Sequence, residues 1–464
     1  MRKLLALCGY EAHEMEMELL RVQKVFTKLG ITDEDILVGK QRLATYFDME
    51  LKGVRKLFGL FLRELVDITL AKEEGKKKVI HGCMAPSFEI LGSALRSNSK
   101  DVCVLVPNPP FMVVLGFIFD KFVSILEAAE EQWLKSGLVS HCAMVKTRLG
   151  LFALNLVPRP DLLVTSGSLC ETSPKTNDLL HEFYDIPTYC YDTVQDRELW
   201  EYPDSSRAIQ LSAKGLRRMV QRVQEEVGFE ITDDMLREVL RVKGSYAAAV
   251  NKVHELIQKS DPVPIGSTHD NLLMWLSPVP LSIDNLSAAT DAVNMLYKEL
   301  QERVGRGVGA VEKGAPKIFS ILPFHHTDPR LEHLVNQIGM AIVATDMEFT
   351  TASGMSASSA EPPKDPYEAM SQYLQSALLL PLGGRISIIL DACKRLNVDG
   401  VLNHYHVGCR SVAGDALIIK DAITKELKIP VLLLEWENFD PRVYDHEQYK
   451  TMLEVFRSMI RTGR

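Results

Sequence analysis

The chain has 464 residues, 46% hydrophobic and 25% charged, which places it among ordinary water-soluble globular proteins of about two to four domains and excludes a single small module, a disordered chain or a fibre. Its net charge of −8 comes from 61 acidic against 53 basic residues without a basic block, so no nucleic-acid partner is expected.

The apolar opening Leu4 to Leu7 runs at once into Glu11, Glu14, Glu16 and Glu18, too short for the hydrophobic core of a signal peptide. The longest apolar run, Phe111 to Phe119, is far short of a membrane span. A cytoplasmic protein without a membrane partner is the expectation. In such a reducing compartment the eight cysteines read as buried thiols, metal ligands or nucleophiles before disulfides.

In chain order, residues 1–77 read as a helical extension, periodic over Glu11 to Leu29 and Leu57 to Ala71, of the kind that forms an arm or lid. Residues 78–200 alternate short β-rich runs (Val79 to His81, Val102 to Val106, Leu162 to Thr165, Thr188 to Tyr191) with helical stretches, the pattern of a parallel α/β domain. Residues 201–309 lose the strands and carry amphipathic helices over Lys214 to Val227, Asp233 to Ser260 and Ser287 to Arg303. Alternation returns over 310–464. The predicted fold class is α/β: two doubly wound parallel-sheet domains, flavodoxin-like or Rossmann-like, with a helical domain between them. Thr351 to Pro366, rich in Ser, Ala, Gly and Pro, is predicted as a loop, either a solvated connector or a lid.

Two distant segments share one design. Asp161 opens a strand that ends in a loop to Cys170, a helix follows, and Ile186-Pro187 opens the next strand; Asp399, Cys409 and Ile429-Pro430 repeat the order. The aspartate-to-cysteine separations are 9 and 10 positions, so both thiols are predicted just beyond the carboxyl end of a parallel strand, where open α/β sheets bind ligands. Cys142 stands at the head of a helical stretch, where a helix amino terminus stabilises a thiolate or an anionic cluster. Soft thiolates from separate loops suit an iron-sulfur cluster or zinc; ordinary buried cysteines are the alternative for each, and Cys8, Cys103, Cys190 and Cys393 read as core thiols.

At its carboxyl end, Val398-Asp399-Gly400-Val401-Leu402, His404, Cys409, Ile429-Pro430 and Phe439-Asp440-Pro441-Arg442 followed by Gln448-Tyr449 resemble the larger, alpha-type subunits of the 2-hydroxyacyl-CoA dehydratase and benzoyl-CoA reductase family. Pro160-Asp161, Cys170 and Ile186-Pro187 resemble its middle motif; the first 77 residues match poorly. The resemblance implies that Cys142, Cys170 and Cys409 hold a [4Fe-4S] cluster by three thiolates, leaving one iron open. It implies a second, beta-type subunit, an ATP-hydrolysing iron-sulfur activator, and one-electron reduction of an acyl-CoA or aromatic-CoA thioester to a ketyl radical in an oxygen-sensitive enzyme. Where the dehydratases are expected to carry a serine, this chain reads His81-Gly82-Cys83-Met84-Ala85-Pro86, and Val106 to Pro110 lacks the expected glutamate. Reduction of an aromatic CoA ester, a less studied branch and a double-cubane cluster protein therefore stand beside dehydration.

Cys83 is an extra cluster ligand, a substrate-facing thiol or a strand-end cysteine; with His81 it occupies the catalytic stretch. His404 and His406, alternating around Tyr405, are candidate acids or loop-organising hydrogen bonders. His325-His326 and Arg410 are secondary candidates. Competing classes are a supporting or electron-transfer subunit, a zinc or thiol enzyme, and a clusterless α/β binding protein.

Overall fold

The computed structural model describes residues 1–133, 142–168, 170–193, 206–322, 325–349, 364–375 and 382–462. Most of the expected loop at 351–366 and the junction at 201–205 lie outside them. Among the described residues, eight strands form two four-stranded sheets. The first contains β1 (Lys78–Cys83), β2 (Val102–Leu105), β3 (Leu162–Thr165) and β4 (Thr188–Cys190), in the order β2-β1-β3-β4. The second contains β5 (Lys317–Ile321), β6 (Ala341–Thr345), β7 (Gly400–His406) and β8 (Val431–Trp436), in the order β6-β5-β7-β8. Every pairing is parallel, and the two orders are the same. The inner strands are buried almost from end to end, which is why the sequence shows them as continuous apolar runs without alternation.

The repeated aspartates lock the two sheets in the same way. Asp161 Oδ2 accepts the Val79 amide at 2.8 Å while the Asp161 amide donates to the Val79 carbonyl at 2.7 Å. In the second sheet Asp399 Oδ2 accepts the Lys317 amide at 2.8 Å and its own amide donates to the Lys317 carbonyl at 2.8 Å. The prolines also correspond: the Pro187 carbonyl accepts from the Leu163 amide and the Pro430 carbonyl from the Val401 amide. The helices preceding them end on left-handed residues, Asp185 (φ 51°) and Lys428 (φ 59°). The sequence repeat is therefore a repeat of strand anchorage that delivers each cysteine loop to the opposite edge.

The amino-terminal helices are not a free arm. Lys52–Leu70 buries Val54, Leu57, Phe58, Phe61, Leu62 and Leu65, so apolar residues lie on most of its circumference, the mark of a core helix. Its first turn is capped from the Ile283–Gly305 helix, where the Glu299 carboxylate accepts the Lys52 and Gly53 amides at 2.9 and 3.0 Å. A Cβ on Gly53 would lie 2.5 Å from Leu296 Cβ, so only glycine permits this approach. Glu64 pairs with Arg96 of the Phe88–Asn98 helix, joining this layer to the first sheet. The apolar run at 111–119 is a buried π-helical segment, Met112–Ile118; Arg42 donates to its Phe117 and Gly116 carbonyls at 3.1 and 3.2 Å. No helix among the described residues is long and apolar enough to cross a membrane.

Candidate active site

In a sheet ordered 2-1-3-4, the connections leaving the first and third strands run in opposite directions, and a crevice opens beyond their carboxyl ends. Cys83 ends β1 and Cys170 follows β3; in the second sheet Leu322 follows β5 and Cys409 follows β7. Met84 (φ 42°) and Leu322 (φ 45°) hold left-handed backbone at corresponding places, local strain of the kind that collects at functional edges.

Both crevices open into one cavity of about 280 Å³, lined by Cys83, Cys142, Cys170, Cys409 and His406 among others. Cys142 reaches it as the N-cap of the Ala143–Ala153 helix, and Cys170 lies just before the Thr172–Tyr184 helix. Thr172 Oγ1 lies 3.0 Å from Cys170 Sγ and 3.9 Å from Cys142 Sγ, so one hydroxyl touches both sulfurs. The Cys409 turn lies against Cys142: a Cβ on Gly408 would come within 2.5 Å of Cys142 Cα and 2.7 Å of Glu437 Oε2. Glu437 accepts the Ala143 amide at 3.2 Å, so a carboxylate beyond β8 caps the helix that carries Cys142.

Burial, reinforced by Glu437, pushes the Cys142 thiol far above its ordinary range, and burial raises Cys170 against the hydrogen bond from Thr172. Without a cation among them these groups stay protonated; a bound metal charge is what turns such thiols into thiolates. Burial also raises the Glu437 carboxyl to about 7.

The structure separates the other candidates. His406 lines the cavity, with burial lowering it to about 4. His404 is directed away: its Nδ1 donates to the Leu322 carbonyl at 2.9 Å and its ring stacks on Trp436. His81 is likewise a core residue, 1% exposed and packed on Phe152, and burial together with Arg148 lowers it to about 3. The strand that brings Cys83 to the cavity wall thus carries His81 in the core, packed on Phe152 and outside that wall. His325 donates to the Asp440 carbonyl at 3.1 Å, and His326 lies between the Trp275 indole and Asn438, each at 3.0 Å, so the adjacent histidines do not share a metal position. Cys8, Cys103 and Cys393 are buried as expected, but Cys190 is exposed because it sits on the edge strand β4.

Sequence reasoning missed His254, Asp270 and Glu348, which also line the cavity. Among the described residues they are the one group of three potential metal-ligating side chains whose donor atoms all lie within 4.8 Å of one another. No local motif announces them, since they come from a long amphipathic helix, a short helix and the helical turn that follows β6.

The family model described as 2-hydroxyglutaryl-CoA dehydratase, D-component, matches residues 111–460. The chain belongs to this family. One of the subunits of benzoyl-CoA reductase from Thauera aromatica is 23% identical over 344 residues, covering 69% of this chain and 76% of the relative. The (R)-phenyllactyl-CoA dehydratase alpha subunit of Clostridium sporogenes is 21% identical over 301 residues, 64% of this chain and 70% of the relative. The (R)-2-hydroxyglutaryl-CoA dehydratase alpha subunit of Acidaminococcus fermentans is 21% identical over 301 residues, 64% of this chain and 60% of the relative. The protein is an enzyme subunit of this dehydratase and reductase type, as the motifs around Cys170 and Cys409 suggest. The family match takes in Cys142, Cys170 and Cys409, whereas His81 and Cys83 precede it.

Proposed function

We propose that this chain is the cluster-bearing subunit of an oxygen-sensitive enzyme that reduces an acyl-CoA thioester by single electrons. Cys142, Cys170 and Cys409 would hold a [4Fe-4S] cluster, which supplies one low-potential electron when bound and allows the thioester carbonyl to reach the ketyl level. The observation that carries the reading is the convergence of these three cysteines, from a helix N-terminus and two corresponding strand ends, on one cavity. Their donor set is soft, and two of them stand at or just before helix N-termini that offset anionic charge. A single tetrahedral zinc would need its sulfur ligands about 3.8 Å apart. Among the described residues the three sulfurs do not all lie within 4.8 Å of one another, so they are not arranged as a preformed single-zinc site.

The chain's own residues have distinct tasks in this reading. Gly408 lets the Cys409 turn approach Cys142, Thr172 holds two of the sulfurs, and Met144, Met274 and Phe439 supply apolar wall that keeps water from a reactive intermediate. Cys83, at the end of β1, faces the same space as a substrate-side thiol. A beta-type partner and a separate ATP-hydrolysing iron-sulfur activator complete the enzyme in this proposal. The test is turnover of benzoyl-CoA and (R)-phenyllactyl-CoA by the anaerobically isolated protein with its partner and a titanium(III) reductant. Product that requires both reductant and Cys409 supports the reading; full turnover by C409S contradicts it. Product type then separates ring reduction from dehydration.

A further inference from the structure

We propose that His254 and Glu348, with Asp270 behind the imidazole, deliver protons to the acyl-CoA held in the cavity. The proposal rests on the acyl-CoA reading above and adds what the cysteines do not provide. An electron retained by an aromatic ring leaves a basic carbon that must be protonated, a hydroxide expelled from a ketyl radical anion takes up a proton as it leaves, and metal-bound sulfur ligands carry no proton to give.

The geometry is that of a relay. His254 Nε2 lies 2.8 Å from Asp270 Oδ1, so the aspartate accepts its Nε2–H and fixes the orientation of the ring. His254, only 8% exposed, makes no hydrogen bond through Nδ1, which faces Glu348 Oε2 at 3.7 Å. Glu348 is anchored from its other sides, Oε1 accepting the Thr345 amide at 2.9 Å and Oε2 the Gln258 side-chain amide at 2.9 Å. All three residues border the cavity that holds the four cysteines.

The charge balance supports this use. One imidazolium neutralises one carboxylate, leaving a second buried carboxylate without a cation among the described residues, and a proton on it is the least costly remedy. Burial accordingly raises Glu348, while burial opposes a charged His254 and the Asp270 carboxylate bonded to it holds the proton on the ring. The remaining neighbours do not replace this proton. His269, which faces Asp270 and His254 with Asp48 beyond it, is lowered by burial; the Tyr246 hydroxyl donates to the Leu273 carbonyl; and Lys317 donates to the Gln258 carbonyl. In the step itself, one electron from a low-potential iron-sulfur donor enters the substrate. The Glu348–H bond breaks as an O–H or C–H bond forms on the substrate, and His254 then passes its proton to Glu348 until solvent restores both.

Two measurements on the full chain decide it. In ¹⁵N-histidine NMR, one imidazole should remain doubly protonated above pH 7.5, with its midpoint falling by about one pH unit or more in D270N and in E348Q. An unshifted midpoint in both variants, or no such imidazole, overturns the relay. In turnover of benzoyl-CoA with the partner subunit and a titanium(III) reductant, the isosteric E348Q should lower kcat about 10²-fold or more, with KM and iron content unchanged. Wild-type turnover with an unimpaired E348Q removes the proton role alone, whereas no turnover by the wild type removes the acyl-CoA reading and this proposal with it. Stoichiometric zinc or manganese that E348Q loses would overturn the relay in favour of a metal site.

Discussion

Replacing Gly408 by alanine tests the convergence of the two lobes at one point. The new Cβ would stand 2.5 Å from Cys142 Cα, 2.7 Å from Cys142 Cβ and 2.7 Å from Glu437 Oε2. Carbon atoms settle about 3.5–4.0 Å apart, so the contact demands a displacement of about 1 Å. Cys142 cannot yield easily, because it starts a helix whose Met144, Val145, Leu149 and Leu151 are buried. Glu437 is held through Oε1 by the Ala143 and Phe439 amides at 3.2 and 3.3 Å, which limits how far its Oε2 can move aside. The Cys409 turn must therefore retreat, at an overpacking cost of about 1–3 kcal/mol and, if it carries a cluster ligand, a loss of about 10–100-fold in metal affinity. Gly244, in the helix Asp233–Lys259, has nothing within 4 Å of the place an added methyl group would take and serves as the control; G244A should be neutral or stabilising by about 0.5–1 kcal/mol. Urea unfolding and anaerobic iron content of both variants provide the readout. A G408A protein with wild-type midpoint and iron would refute the close approach of the two lobes.

Other consequences follow from single residues. Glu332 is buried, its Oε2 makes no hydrogen bond, and burial raises it to about 8. Because the folded protein holds this proton above the unfolded pKa, the associated stability is full below about pH 4.5 and is lost as pH rises through about 8, at up to about 1.4 kcal/mol per unit. E332Q should flatten the fall in stability between pH 6 and 8; parallel curves for the two proteins would sink the argument. D161A and D399A each remove a carboxylate that holds a strand amide and should each cost about 1–3 kcal/mol in urea unfolding. Equal midpoints for wild type and both variants would show that the repeated aspartates do not anchor the sheets. Brief alkylation of the native chain, followed by peptide mass spectrometry, should mark Cys190 well before Cys8, Cys103 or Cys393; uniform labelling would contradict their burial.

The parallel strands and the paired cysteine loops are legible in the sequence because each is written locally. Strands buried on both faces appear as apolar runs, and the aspartate, cysteine and proline recur in the same order, with aspartate-to-cysteine separations of 9 and 10 positions. Lys52–Leu70 reads as part of an arm because periodicity marks a helix without saying how much of its circumference is covered. His81 and His404 gain weight from standing near cysteines in sequence, although the orientation of a strand residue is set by neighbours from other segments. His254 is invisible for the converse reason: its partners Asp270 and Glu348 reach it only through the packing of separate elements.

The central claim is that Cys142, Cys170 and Cys409 bind one cluster. Iron and acid-labile sulfide per chain, measured on anaerobically purified wild type and on C142S, C170S, C409S and C83S, test it most directly. About four of each are expected in the wild type and in C83S, and loss in each of the other three variants. About eight of each, with loss in C83S, would replace the three-ligand site by a larger one that includes Cys83. An iron-free wild type, or zinc alone, would contradict the claim and leave the family membership as a statement about fold.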